Sequence, residues 1–161
     1  MKRRIDIMEH SGEAVRAMRQ VAKYVHESGL PPAVFELVKI RSSQINGCSF
    51  CLDMHMRQAK AAGETDERLW SVGTWRHAPY FTDAERAALA LTEEATRLAD
   101  RGETVPDSVW DEATRHFGEP ELAGLIFAIA HSNAWNRIMA ITRTPAGAAL
   151  RAAAANPLSS G

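Results

Sequence analysis

Apolar residues recur at three- and four-residue spacing along most of this 161-residue chain, and no stretch alternates apolar and polar as a half-buried strand would. That period commits the fold to helices. Val15, Met18, Val21, Ala22 and Val25 form the stripe of a first helix, which Ser11 is placed to cap and which ends near Gly29. Pro31-Pro32 opens a second, with Val34, Leu37, Val38 and Ile45 on its stripe and Asn46-Gly47 breaking it. A third starts at about Cys48 and runs to Ala62, with Gly63 as its stop. Thr65 begins a short helix through Trp70, and 73–81, with Pro79, reads as a connection. Thr82-Asp83-Ala84-Glu85 has the pattern of a capping box, and Ala88, Leu89, Thr92, Ala95 and Leu98 carry its helix to about Ala99. Pro106 opens the next, ending at Gly118. The longest helix runs from about Pro120 to Thr142, with Leu122, Leu125, Ile126 and Ile129 packing inward. The expectation is all-α: a single helical domain of about six to eight helices over 1–143. An Ala-rich C-terminal tail, 144–161, follows as a frayed helix and then disorder.

Composition narrows the class of function. Hydrophobic residues make up 45% of the chain and charged residues 24%, with a net charge of -1. That is the balance of an ordinary globular protein, with no basic excess to hold nucleic acid and no acidic tail. A chain this long buries roughly 70% of the surface it exposes when unfolded, enough for a full core. The longest apolar run, 122–130, is about half of what a bilayer needs before His131 ends it, so no membrane span is expected. The start, Met1-Lys2-Arg3-Arg4-Ile5-Asp6, is basic but lacks the apolar run and cleavage pattern of a secretory signal, so the expected location is cytoplasmic.

The two cysteines, Cys48 and Cys51, stand three apart. A bridge over two residues closes too small a loop to staple a fold, and in a reducing compartment the pair reads as a redox dithiol or half of a metal site. With Cys48 at or just before the first turn of the third helix, Cys48, Cys51 and His55 fall at i, i+3 and i+7, along one face. The unpaired N–H groups at the helix start favour a negative sulfur there. A depression of about two units in thiol pKa, enough for roughly three quarters thiolate at neutral pH, needs about 2.7 kcal/mol. A helix terminus gives roughly 0.3–2 kcal/mol, so a second contributor is required. His55, one turn from Cys51, titrates in the range to take the proton.

Blander readings stand beside this one. Cysteines are often small buried hydrophobes, and a lone histidine is often a satisfied polar group. Zinc could use Cys48, Cys51 and His55, but a structural site wants a fourth ligand that the sequence does not supply, and Asp53 points elsewhere on the helix. Glu36, with Lys39 three residues on, reads by itself as a solvated helix pair. His10, His26, His77, His116 and His131 form no ligand pair, although His131 interrupts the most apolar helix and needs a partner if buried. Trp70, Trp75, Trp110 and Trp135 suit core or subunit packing.

Taken together, Glu36, Cys48-Ser49-Phe50-Cys51 and His55 spell Glu-x11-Cys-x2-Cys-x3-His. The pattern resembles the active-site signature of the alkylhydroperoxidase D-like proteins in the carboxymuconolactone decarboxylase family. Glu36-Leu37-Val38-Lys39-Ile40-Arg41, Ser43-Gln44-Ile45-Asn46-Gly47, Ala61-Ala62-Gly63-Glu64 and the stretch from Thr82 to Leu89 also look like the family. The likeness extends over roughly 5–143.

The resemblance implies an all-helical fold assembling as a homo-oligomer, a trimer or hexamer, and an antioxidant activity needing no metal or organic cofactor. Hydroperoxide would be the substrate, and a dithiol or thiol protein the electron donor. Cys51 would attack the peroxide, Cys48 would resolve the sulfenic acid to a disulfide, and Glu36 and His55 would form a proton relay through water. The helix dipole favours Cys48 as the ionised sulfur, whereas the i,i+4 spacing to His55 favours Cys51. Where the best-known peroxidase member has a histidine before the second cysteine, this chain has Phe50, which shortens the relay to Glu36, His55 and the thiol. The alternatives are a redox adaptor that reduces a partner peroxidase and a lyase of the decarboxylase type, a branch that lacks the cysteine pair.

Overall fold

The computed structural model describes residues 2–100, 102 and 104–148. Among them eight α-helices occur and no strand: α1 Ile7–His10, α2 Gly12–Glu27, α3 Pro32–Ile45, α4 Ser49–Ala61, α5 Asp66–Ser71, α6 Asp83–Thr96, α7 Asp107–His116 and α8 Glu119–Thr142. Short 3-10 turns cover Val72–Thr74 and Leu98–Asp100. The expected tail lies outside the described residues from 149 onward.

Local chemistry sets most of the boundaries. Thr82 and Glu85 form the expected box at α6: Glu85 N–H donates to Thr82 Oγ1 at 3.2 Å and Thr82 N–H to Glu85 Oε2 at 2.8 Å. At α8 the Glu121 carboxylate accepts from the Gly118 N–H at 2.8 Å, and Pro120 sits in the first turn, where its missing N–H costs nothing. Two boundaries differ from expectation. Ser11 stands at the N-cap of α2 but its hydroxyl makes no cap bond, because the chain arrives from a separate short helix, α1, capped by Asp6. The α6 helix ends at Thr96, and the chain leaves the buried stripe there, so Leu98 is exposed. Within 73–81 the chain is held by Arg86, which donates to the carbonyls of Trp75, Ala78 and Phe81.

The third helix is the axis of the molecule. It packs on α4, α6 and α8 and is buried nearly all round: Phe35, Lys39, Ile40, Ser42 and Ser43 are covered along with Val34, Leu37 and Val38. A one-sided stripe therefore understates its burial. One apolar cluster joins Val25, Val34, Val38, Ala88, Leu122, Leu125 and Ile129 across α2, α3, α6 and α8. A second joins Leu37, Ile40, Ala59, Leu69, Trp75 and Leu89 on the α4 and α5 side. Each such aliphatic side chain contributes roughly 1.5–3 kcal/mol when fully buried. Ile126 is a correction: it is exposed, because it lies about 100° round the helix from Leu125 and off the buried face. Trp70 is exposed as well, whereas Trp75 is buried with its Nε1–H donated to Glu93.

A close approach fixes α8 against the end of α2. A Cβ on Gly124 would lie 2.0 Å from Ser28 Oγ, so only glycine admits this contact. Further along, a polar seam joins α3 to α8. Asn46 Nδ2 donates to Asn133 Oδ1 and Asn136 Oδ1, both at 2.9 Å, and Asn136 Nδ2 donates to Ser43 Oγ at 3.1 Å. Gly47 then takes a left-handed turn, φ 65°, and Cys48 N–H bonds back to Ser43 carbonyl at 3.0 Å. This seam holds the start of α4. No helix of the described residues is long and apolar enough to cross a membrane.

Candidate active site

Cys48 is the N-cap of α4 in extended conformation, and its Sγ accepts from the Cys51 N–H at 3.3 Å. The two sulfurs are joined in a disulfide with the Cα atoms 5.3 Å apart. Both residues are buried, Cys51 at 1% exposure. Beside it lies a cavity of about 430 Å³ between α2, α3, α4 and α8. Cys51 and His55 wall it together with Lys39, Gln58, His131 and Ser132, and Phe35, Phe50, Met54, Trp135 and Met139 supply its apolar sides. Among the described residues no carboxylate lines it. Cys48 borders a separate depression instead, beside Ser49, Met139 and Arg143. The two bridged residues thus border different cavities.

Hydrogen bonding fixes the imidazoles. His55 Nδ1 lies 3.1 Å from Gln58 Oε1, an acceptor, so Nδ1 carries the proton and Nε2 keeps its lone pair. Burial and then the Lys39 charge push the His55 pKa down to about 4, against the Gln58 bond that favours the charged ring. At neutral pH His55 is therefore a neutral ring, and burial takes it below the range near 6.5 in which the sequence led one to expect it to titrate. His131 Nε2 accepts from Trp135 Nε1 at 3.0 Å; burial lowers its pKa, against a hydrogen bond with the Met18 backbone. His131 has the partner that its place in an apolar helix demanded.

Glu36 and Lys39 do not form a solvated pair. Lys39 Nζ donates to Glu36 Oε1 at 2.6 Å with both side chains largely covered, and Nζ also lies 4.4 Å from the Phe35 ring centroid. The other oxygen, Glu36 Oε2, is buried without a hydrogen-bond partner. The structure thus brings Cys48, Cys51 and His55 to one end of α4 and sets Glu36 behind Lys39 rather than in the cavity wall. Asp53 faces away, bonded to Arg57 and to the Gly147 N–H.

Sequence reasoning missed Lys39, Gln58 and Ser132 as parts of this cavity. Gln58 stood i+3 from His55, and Ser132 stood on the buried stripe of α8 after Leu125 and Ile129. Polar residues at those spacings were the available signals. Among the described residues no group of three or more His, Cys, Asp or Glu side chains could hold a metal ion. A second cavity, about 500 Å³ between α6, α7 and α8, is walled by Leu91, Val105, Trp110, Ile126 and Ile129 and holds no thiol or imidazole.

Residues 10–94 match the sequence model of the carboxymuconolactone decarboxylase family. The uncharacterized protein YdfG of Bacillus subtilis is 35% identical over 138 residues, 86% of this chain and 92% of its own. A crystal structure from Agrobacterium tumefaciens, of a protein of unknown function suggested to be an antioxidant defence protein AhpD, superposes with a TM-score of 0.84. It is 34% identical, over 90% of this chain and 98% of that one. The apo debrominase Bmp8 shares the fold, with a TM-score of 0.77 and 21% identity over 90% of this chain and 77% of its own.

Proposed function

The chain belongs to the carboxymuconolactone decarboxylase family, and from that premise we propose that it is a cytoplasmic thiol peroxidase that reduces hydroperoxides through Cys51 and Cys48. One observation carries the reading. Cys51 walls a cavity that also holds a neutral imidazole, His55, with Nε2 free to take a proton.

In the reduced protein the Cys51 thiol passes its proton to His55 Nε2, and the buried Lys39 cation favours the thiolate so formed. That sulfur attacks the terminal oxygen of R–O–O–H. An S–O bond forms, the O–O bond breaks, and the leaving alkoxide takes the proton from His55 to depart as alcohol. Cys48 then attacks the sulfenic sulfur, closing the disulfide and releasing water. Two electrons from a dithiol or thiol protein restore both thiols. The helix start and the Cys51 N–H favour a negative Cys48 sulfur, while His55 serves Cys51, so the two activating devices act on different cysteines. Glu36, with one oxygen on Lys39 and the other unpartnered, forms the far end of the relay through buried water. Assembly as a trimer or hexamer would cover exposed apolar residues such as Trp70, Phe127 and Ile141.

The test is intact mass and alkylation before and after one equivalent of an organic hydroperoxide on the reduced protein. Loss of two hydrogens confined to the peptide holding both sulfurs is the expected result. Two thiols that stay alkylatable after peroxide would refute the reading.

A further inference from the structure

We propose that Ser132 is the hydrogen-bond donor that receives the oxygens of an organic hydroperoxide in the Cys51 cavity. The inference rests on the thiol peroxidase reading and names the group that binds its substrate.

Ser132 lies on the buried face of α8 between Ile129 and Asn136, and it is 3% exposed. Its Oγ is buried without a hydrogen-bond partner, although the residue lines the cavity. Several other buried hydroxyls in this protein's helices bond back to the preceding turn. Ser42 bonds to Val38 carbonyl at 2.9 Å, Ser43 to Lys39 carbonyl at 2.7 Å, and Thr92 to Ala88 carbonyl at 2.7 Å. That local solution is open to any helical serine or threonine, and Ser132 does not take it. A hydroxyl left unmatched in a packed interior is disfavoured unless something else satisfies it.

Three other polar groups of the wall are engaged. His131 Nε2 is held by Trp135, His55 Nδ1 by Gln58, and Lys39 by Glu36. Beside the further N–H groups of Lys39, Arg19 and Gln58, His55 Nε2 offers an acceptor, and the Ser132 hydroxyl is a buried donor with no partner in the protein. A hydroperoxide carries one O–H to donate and two oxygens to accept, so it matches that pair, and the surrounding Phe35, Phe50, Met54 and Trp135 suit an apolar R group. As Cys51 sulfur bonds to the terminal oxygen and the O–O bond breaks, charge grows on the RO oxygen. A hydrogen bond from Ser132 to that oxygen strengthens as the charge builds, before the proton from His55 neutralises it. Sulfur is oxidised to the sulfenic acid and the peroxide is reduced to the alcohol; Ser132 gains and loses nothing.

The test uses the full chain, fully reduced, with tert-butyl hydroperoxide as probe and the second-order rate of thiol loss as readout. S132A should oxidise about tenfold or more slowly than the wild type, by analogy with loss of one oxyanion donor. S132T should keep most of the rate. Both should be alkylated by iodoacetamide with the wild-type pH profile, since the sulfur is untouched, and S132A should melt no lower than the wild type because it removes an unmatched group. An S132A that oxidises at the wild-type rate overturns the role of Ser132 and leaves the peroxidase reading standing. So does an S132T as slow as S132A, or an alkylation profile altered in S132A. A wild-type protein that the hydroperoxide does not oxidise removes the peroxidase reading, and the Ser132 role falls with it.

Discussion

His55 Nδ1 lies 3.1 Å from Gln58 Oε1, one turn further along the same helix, and this contact decides which ring nitrogen faces the cavity bare. An amide oxygen can only accept, so it selects the tautomer with hydrogen on Nδ1 and leaves Nε2 as the base. Replacing Gln58 by glutamate keeps the acceptor and adds a negative charge. Q58E should raise the His55 pKa by about one unit or more from its value of about 4, read as the midpoint of the His55 ring-proton NMR titration. An unmoved midpoint would remove Gln58 from control of the ring.

Lys39 is a cation of the cavity wall that acts on His55, and its sign makes two linked demands. It depresses the His55 pKa and favours a thiolate at Cys51. K39M should therefore raise both the His55 midpoint and the thiol pKa read from the pH dependence of alkylation. The variant also strands the buried Glu36 carboxylate, at a cost of roughly 3–5 kcal/mol. The double variant K39M/E36Q should recover much of that stability in urea denaturation while keeping the raised thiol pKa.

The cysteines have separable roles. C51S should abolish turnover of an organic hydroperoxide by a reduced dithiol. C48S should react once and stop at a sulfenic acid, visible by mass after trapping with dimedone. Equal steady-state rates in wild type, C51S and C48S would rule out the cycle.

Buried neutral His55 links stability to pH. Its pKa in the folded chain, about 4, lies below the ordinary 6.5, so the unfolded chain binds the proton more readily between those values. The contribution is fully present above pH 6.5 and is lost as pH falls from there towards 4. Glu93 behaves differently. Burial pushes its pKa up, but hydrogen bonds from Arg76, Trp75 and Arg41 outweigh that and hold it at about 2, so its contribution is full above pH 4.5 and is lost as pH falls from there towards 2. Melting temperatures from pH 7 to 4 should therefore drop for the oxidised wild type and drop less for H55F.

The contact at Gly124 predicts a plain packing effect. G124A drives a methyl group to within 2.0 Å of Ser28 Oγ, and relief requires α2 and α8 to move apart. A loss of about 1–3 kcal/mol is expected in denaturant unfolding, and S28G should restore part of it.

Much of this protein is written in local pattern. The helices, the capping box at Thr82 and Glu85, the proline at the start of α8, and the placement of Cys48, Cys51 and His55 on one helix follow from spacing alone. They do so because helical geometry and capping involve residues within four of one another. Glu36 was legible as part of a motif, but its surroundings were not: the spacing to Lys39 gave the pair, and only packing against α4, α6 and α8 made it a buried one. Ile126 and Leu98 fall outside the core for the same kind of reason, since a stripe gives the face of a helix and not its width.

The sequence by itself determined that the chain is helical and that two sulfurs and an imidazole share one helix near its start. The tertiary structure decided what that helix looks into. Ser132 and His131 stand more than seventy residues from Cys51 in the chain, and Lys39 is on another helix; they meet only because the Asn46, Asn133 and Asn136 seam and the Gly124 contact fix α8 against α2 and α3. The tautomer of His55, its low pKa and the unmatched hydroxyl opposite it depend on burial, and burial is a property of packed neighbours, not of any one segment.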